Sequence, residues 1–379
     1  MNDREFDVLV VGGGVLGLAH ALAALRAGLR VAIVERTQFF RGASVRNFGM
    51  VWPIGQPAGP SLDLALRSRA LWAQTASEVG FRCAPTGSLH LAHDELEWAV
   101  LREFVVASPL PGLQLLGPEA VRALQPALVQ ERLVGGLWSP HEANVDPAAA
   151  IAALHAWLPH HGVAVQYGTP VVEVREHAVR TAGGPWLHAE HVVVCSGDEF
   201  SLLFPERFAA SDLWRCKLQM LALGPQPAGF HLGPMLAAGL TLLHYKGFQT
   251  CRSLPALRER LQRDEAFRLA AGIHVLVSQG DDGRLIVGDS HVYGQEFAPG
   301  LANDVEQAIL EYLARFLRPP VTTVAARWSG TYALRRGGES TFRDRPCAGV
   351  EVVTGVCGSG MTRSMALGEQ TVEAWNTKR

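Results

Sequence analysis

Apolar positions near the start of the chain follow one another in a pattern typical of a strand, a helix and a second strand. Residues 6–11 form a short apolar run, and residues 15–27 are apolar almost all round, with only His20 and Arg26 polar. Residues 29–34 form another short apolar run. Short runs bounded by turn residues indicate buried strands, and a longer run indicates a buried helix. The pattern predicts a β-α-β unit.

The remaining chain predicts elements of both kinds. Helical patterns occur at residues 62–79, 118–124, 147–158, 254–269, 303–316 and 361–375. Strand patterns occur at residues 163–174 with a break near Gly168, 191–195, 218–223, 240–244, 274–278, 285–288 and 352–355. Strands dominate between residues 216 and 292, around a single helix. We therefore expect an antiparallel sheet to be inserted into the fold that the first unit begins.

A glycine-rich segment joins the first predicted strand to the first predicted helix. Gly12 permits a tight turn, Gly14 lets the backbone approach a pyrophosphate, and Gly17 allows close packing of helix on strand. The helix N-terminus offers free N–H groups to phosphates. Glu35 ends the second strand, eighteen residues after Gly17, where a carboxylate can accept a hydrogen bond from a ribose hydroxyl. This combination predicts a dinucleotide site.

Composition narrows the class of protein further. The 379 residues are too many for one simple core and fit two domains, or one discontinuous domain with a large insertion. Apolar residues make up 48% and charged residues 18%, so a sizeable core can form and apolar surface is left for a peripheral membrane contact. A net charge of −2, without a basic stripe, argues against nucleic acid as a partner.

The chain carries no pattern typical of secretion or membrane insertion. The first strand begins within six residues, which leaves no room for a signal peptide, and no apolar run reaches the roughly 20 residues that span a bilayer. We expect a cytoplasmic protein. The cysteines occur without CxxC pairs, which predicts reduced thiols rather than disulfides or a zinc site, and no metal ion is expected: Cys83, Cys195, Cys216, Cys251, Cys347 and Cys357.

Three segments, in order along nearly the whole chain, carry a resemblance to a known family. These are the N-terminal fingerprint, the loop at residues 42–49, and the glycine-rich residues 355–362 followed by Gly368 and Glu369. Together they resemble the flavoproteins that include D-amino-acid oxidase, glycine oxidase and sarcosine oxidase. Residues 217–220, 328–332 and 358–362 are also similar to a subgroup linked to aminophosphonate breakdown.

The resemblance implies a fold class and a domain division. The fold would be α/β plus β: a Rossmann-type, glutathione-reductase-like FAD-binding domain with an inserted antiparallel-sheet substrate domain. The FAD-binding domain would be discontinuous and consist of residues 1–80, 146–200 and 320–379. The substrate domain would consist of residues 81–145 and 201–319.

The resemblance also implies which residues hold FAD. Glu35 would bind the adenosine ribose and the backbone of Val171 the adenine, while the other cofactor residues would contact the pyrophosphate, the ribityl chain and the flavin ring: Gly12, Gly14, Gly17, Ala43, Ser44, Arg46, Asn47, Gly49, Gly197, Gly358, Gly360, Met361 and Thr362. Covalent members of the family attach flavin through a cysteine. The comparable residues 328–332 contain none, so non-covalent FAD is expected.

The same resemblance predicts oxidation of a C–N bond by hydride transfer to flavin N5, giving an imine that water hydrolyses. The substrate would be a small amine or amino acid, of anionic character, such as glycine, sarcosine, a D-amino acid or an N-substituted aminophosphonate. Oxygen or a quinone would accept the electrons. Two alternatives stay open: oxidation of a 2-hydroxy acid, and a flavin-bound partner subunit without catalytic activity.

An anionic substrate beside the flavin needs a cation and hydroxyl groups for its acidic end. The candidate catalytic and anchoring residues are Tyr245, Lys246, Tyr332, Arg335 and Arg336, and Arg46 is a further candidate cation. Residues 288–291 superficially resemble the glycine-aspartate motif of flavin hydroxylases, but no flavin turn follows closely, so we interpret them as the end of a strand.

Overall fold

The computed structural model describes residues 5–336 and 341–376. Within them the helices are α1 (Val15–Arg26), α2 (Pro60–Val79), α3 (Glu95–Ala107), α4 (Pro118–Leu124), α5 (Pro147–His160), α6 (Pro205–Ala209), α7 (Leu240–His244), α8 (Leu254–Asp264), α9 (Ala266–Ala270), α10 (Asn303–Leu313) and α11 (Gly360–Asn376). Three single turns of 3₁₀ helix occur at Ala43–Val45, Pro53–Gly55 and Lys246–Phe248.

The strands fall into three sheets and are numbered along the chain. They are β1 (Phe6–Val11), β2 (Val31–Val34), β3 (Met50–Val51), β4 (Cys83–Ala84), β5 (Ser88–Ala92), β6 (Gln114–Leu116), β7 (Gly135–Ser139), β8 (Ala143–Val145), β9 (Ala164–Gln166), β10 (Val171–Arg175), β11 (Ala178–Thr181), β12 (Trp186–Val194), β13 (Leu213–Leu223), β14 (Met235–Ala237), β15 (Leu276–Gln279), β16 (Leu285–Gly294), β17 (Val324–Arg335), β18 (Phe342–Asp344) and β19 (Val350–Thr354).

The first sheet is the one that the N-terminal pattern predicts. Its parallel part has the order β19-β12-β1-β2-β9, and the antiparallel strands β10, β11 and β18 extend it. Of the parallel strands, β2 is buried along its whole length and β1 over its last four residues, because core side chains cover both faces of the sheet there. Helices α1 and α11 pack closely together, and a Cβ on Gly368 would lie 2.5 Å from the carbonyl oxygen of Ala19.

The second sheet has the order β17-β13-β16-β15-β14-β5-β7-β6 and builds the rest of the core. All its pairs are antiparallel except β14 with β5. The third sheet is small and has the order β3-β8-β4. A Rossmann-type sheet and a second, largely antiparallel sheet confirm the predicted fold class, while the exact domain boundaries stay a prediction.

Two local predictions were wrong. Residues 240–244 form helix α7 rather than a strand, because the apolar run Leu240, Leu242 and Leu243 also fits a short buried helix. Residues 288–291 lie inside β16 rather than at a strand end, since β13 pairs with β16 along its whole length. The six cysteines are free thiols.

Glu142 is a fully buried carboxyl that supports the segment leading from the third sheet to the cleft described below. Its Oε1 accepts from the Ile54 N–H at 3.0 Å, and its Oε2 accepts from the Ser88 hydroxyl at 2.9 Å. Burial raises the pKa of Glu142 from 4.5 to about 7, although these hydrogen bonds oppose the change. The folded protein therefore holds this proton more tightly than the unfolded chain does.

We expect Glu142→Gln to become relatively more stable as pH rises. The folded-state pKa lies above the unfolded value, so the wild type loses stability between pH 4.5 and about 7, whereas the amide does not titrate. The difference in unfolding free energy, variant minus wild type, should rise by on the order of 3 kcal/mol across this range. Urea unfolding of both proteins at several pH values measures it, and parallel pH curves would contradict the prediction.

Candidate active site

A cleft of about 1050 Å³ runs along the edge where the parallel strands end and continues beneath the second sheet. Val11, Val34, Cys195 and Thr354, at the carboxyl ends of β1, β2, β12 and β19, line one end. The N-termini of α1 and α11 open into the same cleft. Ligands of open α/β sheets bind at this edge, where helix N–H groups favour negative charge.

The glycine-rich turn has no room for side chains at two of its positions. Gly12 has φ +106°, and a Cβ there would collide with the carbonyl oxygen of Cys195. A Cβ on Gly17 would collide with the carbonyl oxygen of Gly12. At Gly14 a Cβ would lie 3.0 Å from the Ser44 hydroxyl, on the side that faces the cleft. The turn is thus held against α1 and leaves backbone exposed for a phosphate group.

Glu35 is fixed by three hydrogen bonds at the end of β2. Its Oε2 accepts from the Gly13 N–H at 2.7 Å, and its Oε1 accepts from the Thr37 N–H at 2.8 Å and from the Thr37 hydroxyl at 2.7 Å. A carboxylate offers about four acceptor positions. One position on Oε2 therefore remains for a ribose hydroxyl in the cleft.

If Glu35 binds the adenosine ribose as predicted, replacing it by alanine should weaken FAD binding by about 1 to 3 kcal/mol, because a charge-assisted hydrogen bond would be lost and the Gly13 N–H would lose its partner. Flavin titration of the apoprotein measures this. An FAD analogue without adenosine ribose hydroxyls separates the two causes: wild type should bind it less tightly than FAD, and the variant should bind both alike. Equal FAD affinity of variant and wild type would remove Glu35 from the site.

The loop at residues 42–49 is tied to helix α1. The Ser44 hydroxyl accepts from the Val15 N–H at 2.8 Å, which leaves its own proton for a ligand. The Asn47 amide donates to the carbonyl oxygens of Ala43 and Ser44 and accepts from the Gly49 N–H. Asn47 therefore shapes the loop. A Cβ on Gly49, which has φ +69°, would collide with the carbonyl oxygen of Val145.

The start of α11 lies opposite this loop. Thr362 accepts from the Trp52 N–H at 3.0 Å, and the Met361 carbonyl accepts from the Trp72 ring N–H at 2.6 Å. Gly358 has φ +73°, and a Cβ there would lie 3.1 Å from the Tyr332 hydroxyl. These contacts fix the glycine-rich loop and Gly360 so that the helix N-terminus faces the cleft beside a tyrosine hydroxyl.

The remaining cofactor candidates lie at strand ends. Val171 is the buried first residue of β10 and lines the cleft near Glu35. Gly197 follows β12 with φ +66°, and its carbonyl accepts from the Thr354 hydroxyl at 2.6 Å. Of all the candidate residues, Gly17 and Gly49 alone do not line the cleft, since both serve close packing of backbone.

The part of the cleft beneath the second sheet is the candidate substrate compartment. It contains tyrosines and one lysine whose ammonium group has no partner among the described residues. Burial raises the pKa of Tyr332 and of Tyr245 well above the ordinary range, so both hydroxyls stay protonated and can donate hydrogen bonds. Lys246 follows Tyr245 and is exposed in the cleft, and no described residue forms a hydrogen bond or ion pair with its ammonium group. Lys246 is therefore available to an anionic ligand.

The three candidate arginines already have partners. Arg335 forms an ion pair with Asp212 at 2.8 Å, and the Arg336 guanidinium lies 3.8 Å from the centre of the Trp214 ring. Arg46 donates to the carbonyl oxygen of Ser329 at 3.1 Å. All three line the cleft, but each would have to share its charge or its donors with these neighbours.

A cluster of histidines in the same compartment was missed by the sequence analysis. His244, His274 and His291 line the cleft together with Asp289. Burial lowers the pKa of His274 well below its ordinary range, and the neighbouring histidines add to this effect. His244 is exposed to the cleft, yet desolvation by the surrounding protein, followed by repulsion from His291, lowers its pKa too. Burial raises the pKa of Asp289 to about 6.

The fold and cleft thus define a protein with a Rossmann-type sheet, a second, largely antiparallel sheet and one cleft that is lined by residues of both. The chain belongs to the family described as "FAD dependent oxidoreductase" (DAO), whose model matches residues 7–374. It is therefore an FAD-dependent oxidoreductase, which confirms the resemblance to this family and FAD as the cofactor, while the similarity to the aminophosphonate-linked subgroup and the non-covalent attachment stay predictions.

Among curated proteins, the glycine oxidase of Geobacillus kaustophilus is 31% identical over 211 residues, which are 51% of this chain and 55% of that protein. The bifunctional protein ThiO/ThiG of a Synechocystis species is 30% identical over 242 residues, which are 59% of this chain and 34% of that protein. The matched region therefore spans about a third to a half of these relatives.

Solved structures support the fold over the whole chain. The crystal structure of glycine oxidase from Geobacillus kaustophilus superposes with a TM-score of 0.77 at 22% identity and covers 99% of this chain and 95% of that one. L-proline dehydrogenase from P. horikoshii has a TM-score of 0.77 at 19% identity and covers 99% and 94%. At these identities the likeness establishes the fold.

Proposed function

We propose that this enzyme oxidises the C–N bond of a small, anionic amine or amino acid to an imine, which water then hydrolyses. The observation that carries the proposal is one cleft that joins the dinucleotide site to a compartment with a free lysine and tyrosine hydroxyl groups. Proteins named glycine oxidase and iminodiacetate oxidase are among its relatives and structural neighbours. Their names describe oxidation of amino acids.

Residues of the first sheet fit FAD. Gly12 and Gly14 would leave room for the pyrophosphate at the N-terminus of α1. Glu35 would bind the ribose, and the backbone of Val171 would contact the adenine. The loop from Gly358 to Thr362 would face the pyrimidine edge of the flavin. FAD held by these residues would supply the acceptor for a hydride from the substrate carbon that bears nitrogen. The N-terminus of α11 stabilises negative charge at that edge, because its first N–H groups have no partner within the helix.

Residues of β17 and of the segment after α7 would position the substrate. The Lys246 ammonium pairs with the acidic group, and the protonated hydroxyls of Tyr245 and Tyr332 donate hydrogen bonds. Leu218 and Leu276 line the same compartment and reduce its water content. Holding the carbon that bears nitrogen over the flavin lowers the entropic barrier to hydride transfer. Glycine, sarcosine, D-amino acids and N-substituted aminophosphonates all carry the required amine and anion.

A second candidate activity is oxidation of a 2-hydroxy acid or another anionic alcohol. Two similar proteins support it by their names, a component of the anaerobic glycerol-3-phosphate dehydrogenase of Escherichia coli and the L-alpha-glycerophosphate oxidase of Mycoplasma pneumoniae. The same lysine would bind the anionic group of such an alcohol.

Anaerobic bleaching of the flavin tests both activities. The purified enzyme is mixed without oxygen with amines, hydroxy acids and aminophosphonates, and loss of the oxidised flavin spectrum reports the reductive half-reaction whatever the electron acceptor. Ammonia or methylamine among the products identifies C–N oxidation. Bleaching by hydroxy acids alone would favour the second candidate, and no bleaching by any acidic compound would contradict both.

FAD should be held without a covalent bond. Residues 328–332, where covalent relatives are expected to carry a cysteine, have none. Cys357, in the loop before α11, accepts from the N–H of Arg335 at the end of β17, at 3.3 Å. Acid precipitation should release yellow FAD into the supernatant. Flavin that remains in the pellet would show a covalent link.

We further propose that oxygen or a quinone reoxidises the flavin and that the enzyme works in the cytoplasm. No helix within the described part of the chain combines the length and apolar character needed to cross a bilayer. Mixing reduced enzyme with oxygen or with a soluble quinone, and comparing the reoxidation rates, identifies the acceptor.

A further inference from the structure

Three histidines from separate parts of the second domain meet in the substrate compartment. His244 ends α7, His274 precedes β15, and His291 lies within β16. One ring nitrogen from each histidine lies within 4.8 Å of one from each of the others. Such a set is close enough to share one ion after small side-chain rotations, because zinc-nitrogen distances are about 2.0 to 2.1 Å.

In two of the three histidines, one ring nitrogen lies near a group of the kind that commonly orients a metal ligand. Nδ1 of His291 lies 3.0 Å from the carbonyl oxygen of Gly272 and donates to it. The lone pair of Nε2 is then available to bind a metal ion. Nε2 of His274 lies 3.3 Å from Oδ1 of Asp289. A backbone carbonyl or a carboxylate on the second nitrogen is the usual support of a metal-binding histidine.

Packing alone does not account for the cluster. The rings of His244 and His274 have centres 3.8 Å apart, which is a good aromatic contact. Yet His274 is 3% exposed, and neither of its ring nitrogens forms a hydrogen bond with a described residue. Nε2 lies close to Oδ1 of Asp289 but without hydrogen-bond geometry, so that carboxylate oxygen also lacks a hydrogen bond among the described residues. Buried polar groups without partners are costly, so a ligand is expected to bind here.

The charge of the cluster favours a cation as that ligand. An anion would have to approach Asp289, which is 4% exposed and lies among the histidines. Imidazole nitrogens suit zinc, copper, iron and nickel, whereas magnesium and calcium prefer oxygen. The three side chains leave at least one coordination position toward the cleft, which is typical of catalytic rather than structural zinc sites.

We propose that His244, His274 and His291 bind a divalent transition-metal ion, oriented by Asp289, and that its open coordination position binds the acidic group of the substrate. The site itself is independent of the reaction, while its anchoring role rests on the proposed function. The ion would add positive charge next to Lys246, in the same compartment. This proposal departs from the expectation of no metal, which was based on cysteine spacing.

Zinc binding to the FAD-loaded enzyme tests the site. Protein without a histidine tag is stripped with a chelator, dialysed against zinc with a competing chelator, and analysed for metal and flavin. Wild type should bind about one equivalent. His244→Ala and His274→Ala should bind at least about tenfold more weakly, and Asp289→Asn about 10- to 100-fold more weakly.

His161→Ala is the matched control, because this exposed histidine stacks on Trp157 at the end of α5, outside the cleft residues. It should bind zinc like the wild type. His244→Ala removes a ring that is exposed in the cleft, so its flavin content should stay normal even if His274→Ala fails to fold. Wild-type protein without zinc, or equal zinc affinity of His244→Ala and wild type, would overturn the site.

The anchoring role has a separate readout. The binding of unreactive acidic and neutral analogues is followed by the change in the flavin spectrum, with and without zinc. Zinc should tighten binding of the acidic analogue at least about tenfold and leave the neutral analogue unchanged. Equal affinities with and without zinc would overturn the anchoring role. In either case, bleaching of the flavin by an amine in the metal-free enzyme would support the proposed reaction independently of the metal site.

Discussion

Gly17→Ala is expected to remove most of the FAD affinity of the enzyme. The new Cβ would occupy the position of the Gly12 carbonyl oxygen, and neither backbone can move without shifting α1 away from β1. Overpacking of this kind typically costs about 1 to 3 kcal/mol. Because the collision distorts the phosphate-binding turn itself, we expect affinity for FAD to fall about tenfold to 100-fold, as measured by flavin titration of the apoprotein.

Gly117→Ala is the control for this substitution. Gly117 precedes α4 with φ −71°, and a Cβ there meets no atom within 4 Å. Its flavin affinity should equal that of the wild type, and its thermal stability should change little. Circular dichroism of Gly17→Ala with saturating FAD separates weak binding from failure to fold. A Gly17→Ala protein with unchanged flavin affinity would contradict the role assigned to the turn.

The parts of the structure that sequence predicted well are those in which local chemistry and fold agree. The apolar strand β1, the crowded positions Gly12 and Gly17, and Glu35 at the end of β2 all lie within one short β-α-β unit. At each of these positions the residue type serves one physical role, so the identity and spacing of the residues are enough to predict the unit. The loop that contains Gly358 was recognised through resemblance.

The substrate compartment was less accessible from sequence because its groups meet only after the second sheet forms. His244 and His291 are 47 positions apart in the chain, and no spacing rule joins them. The error at residues 240–244 had a local origin, since a short apolar run fits either a strand or a buried helix. The strand patterns at residues 274–278 and 285–288 were the available signal, because pairing these two strands as β15 and β16 pair would have brought His274 and Asp289 together.

The choice among candidate cations illustrates the same limit. Lys246, Arg335 and Arg336 had equal standing as anchors before the fold was known, because charge and position near the flavin were all that could be compared. Asp212, in the turn before β13, pairs with Arg335, and Trp214, in β13, lies against Arg336. Both contacts depend on the register between β13 and β17, which are far apart in the chain.

Lys246→Ala should weaken binding of an acidic amine substrate by about 1.5 to 3 kcal/mol, roughly 10- to 150-fold, because the anion would lose a charged hydrogen-bond partner in a partly desolvated cleft. The flavin spectrum should stay normal, since Lys246 lies in the 3₁₀ turn after α7, outside the segments that are proposed to hold FAD. Anaerobic flavin reduction at increasing substrate concentration gives the dissociation constant and, separately, the limiting rate of hydride transfer.

Arg336→Ala is the matched comparison, because its guanidinium already lies against Trp214 and should contribute less to substrate binding. Arg46→Ala and Arg335→Ala complete the set, each checked for full flavin occupancy. A neutral amine of the same size should bind wild type and Lys246→Ala alike, since it carries no charge for the ammonium group to pair with. If acidic substrates bind all four variants as tightly as the wild type, the substrate is not an anion held by these cations, and a neutral amine becomes the better candidate.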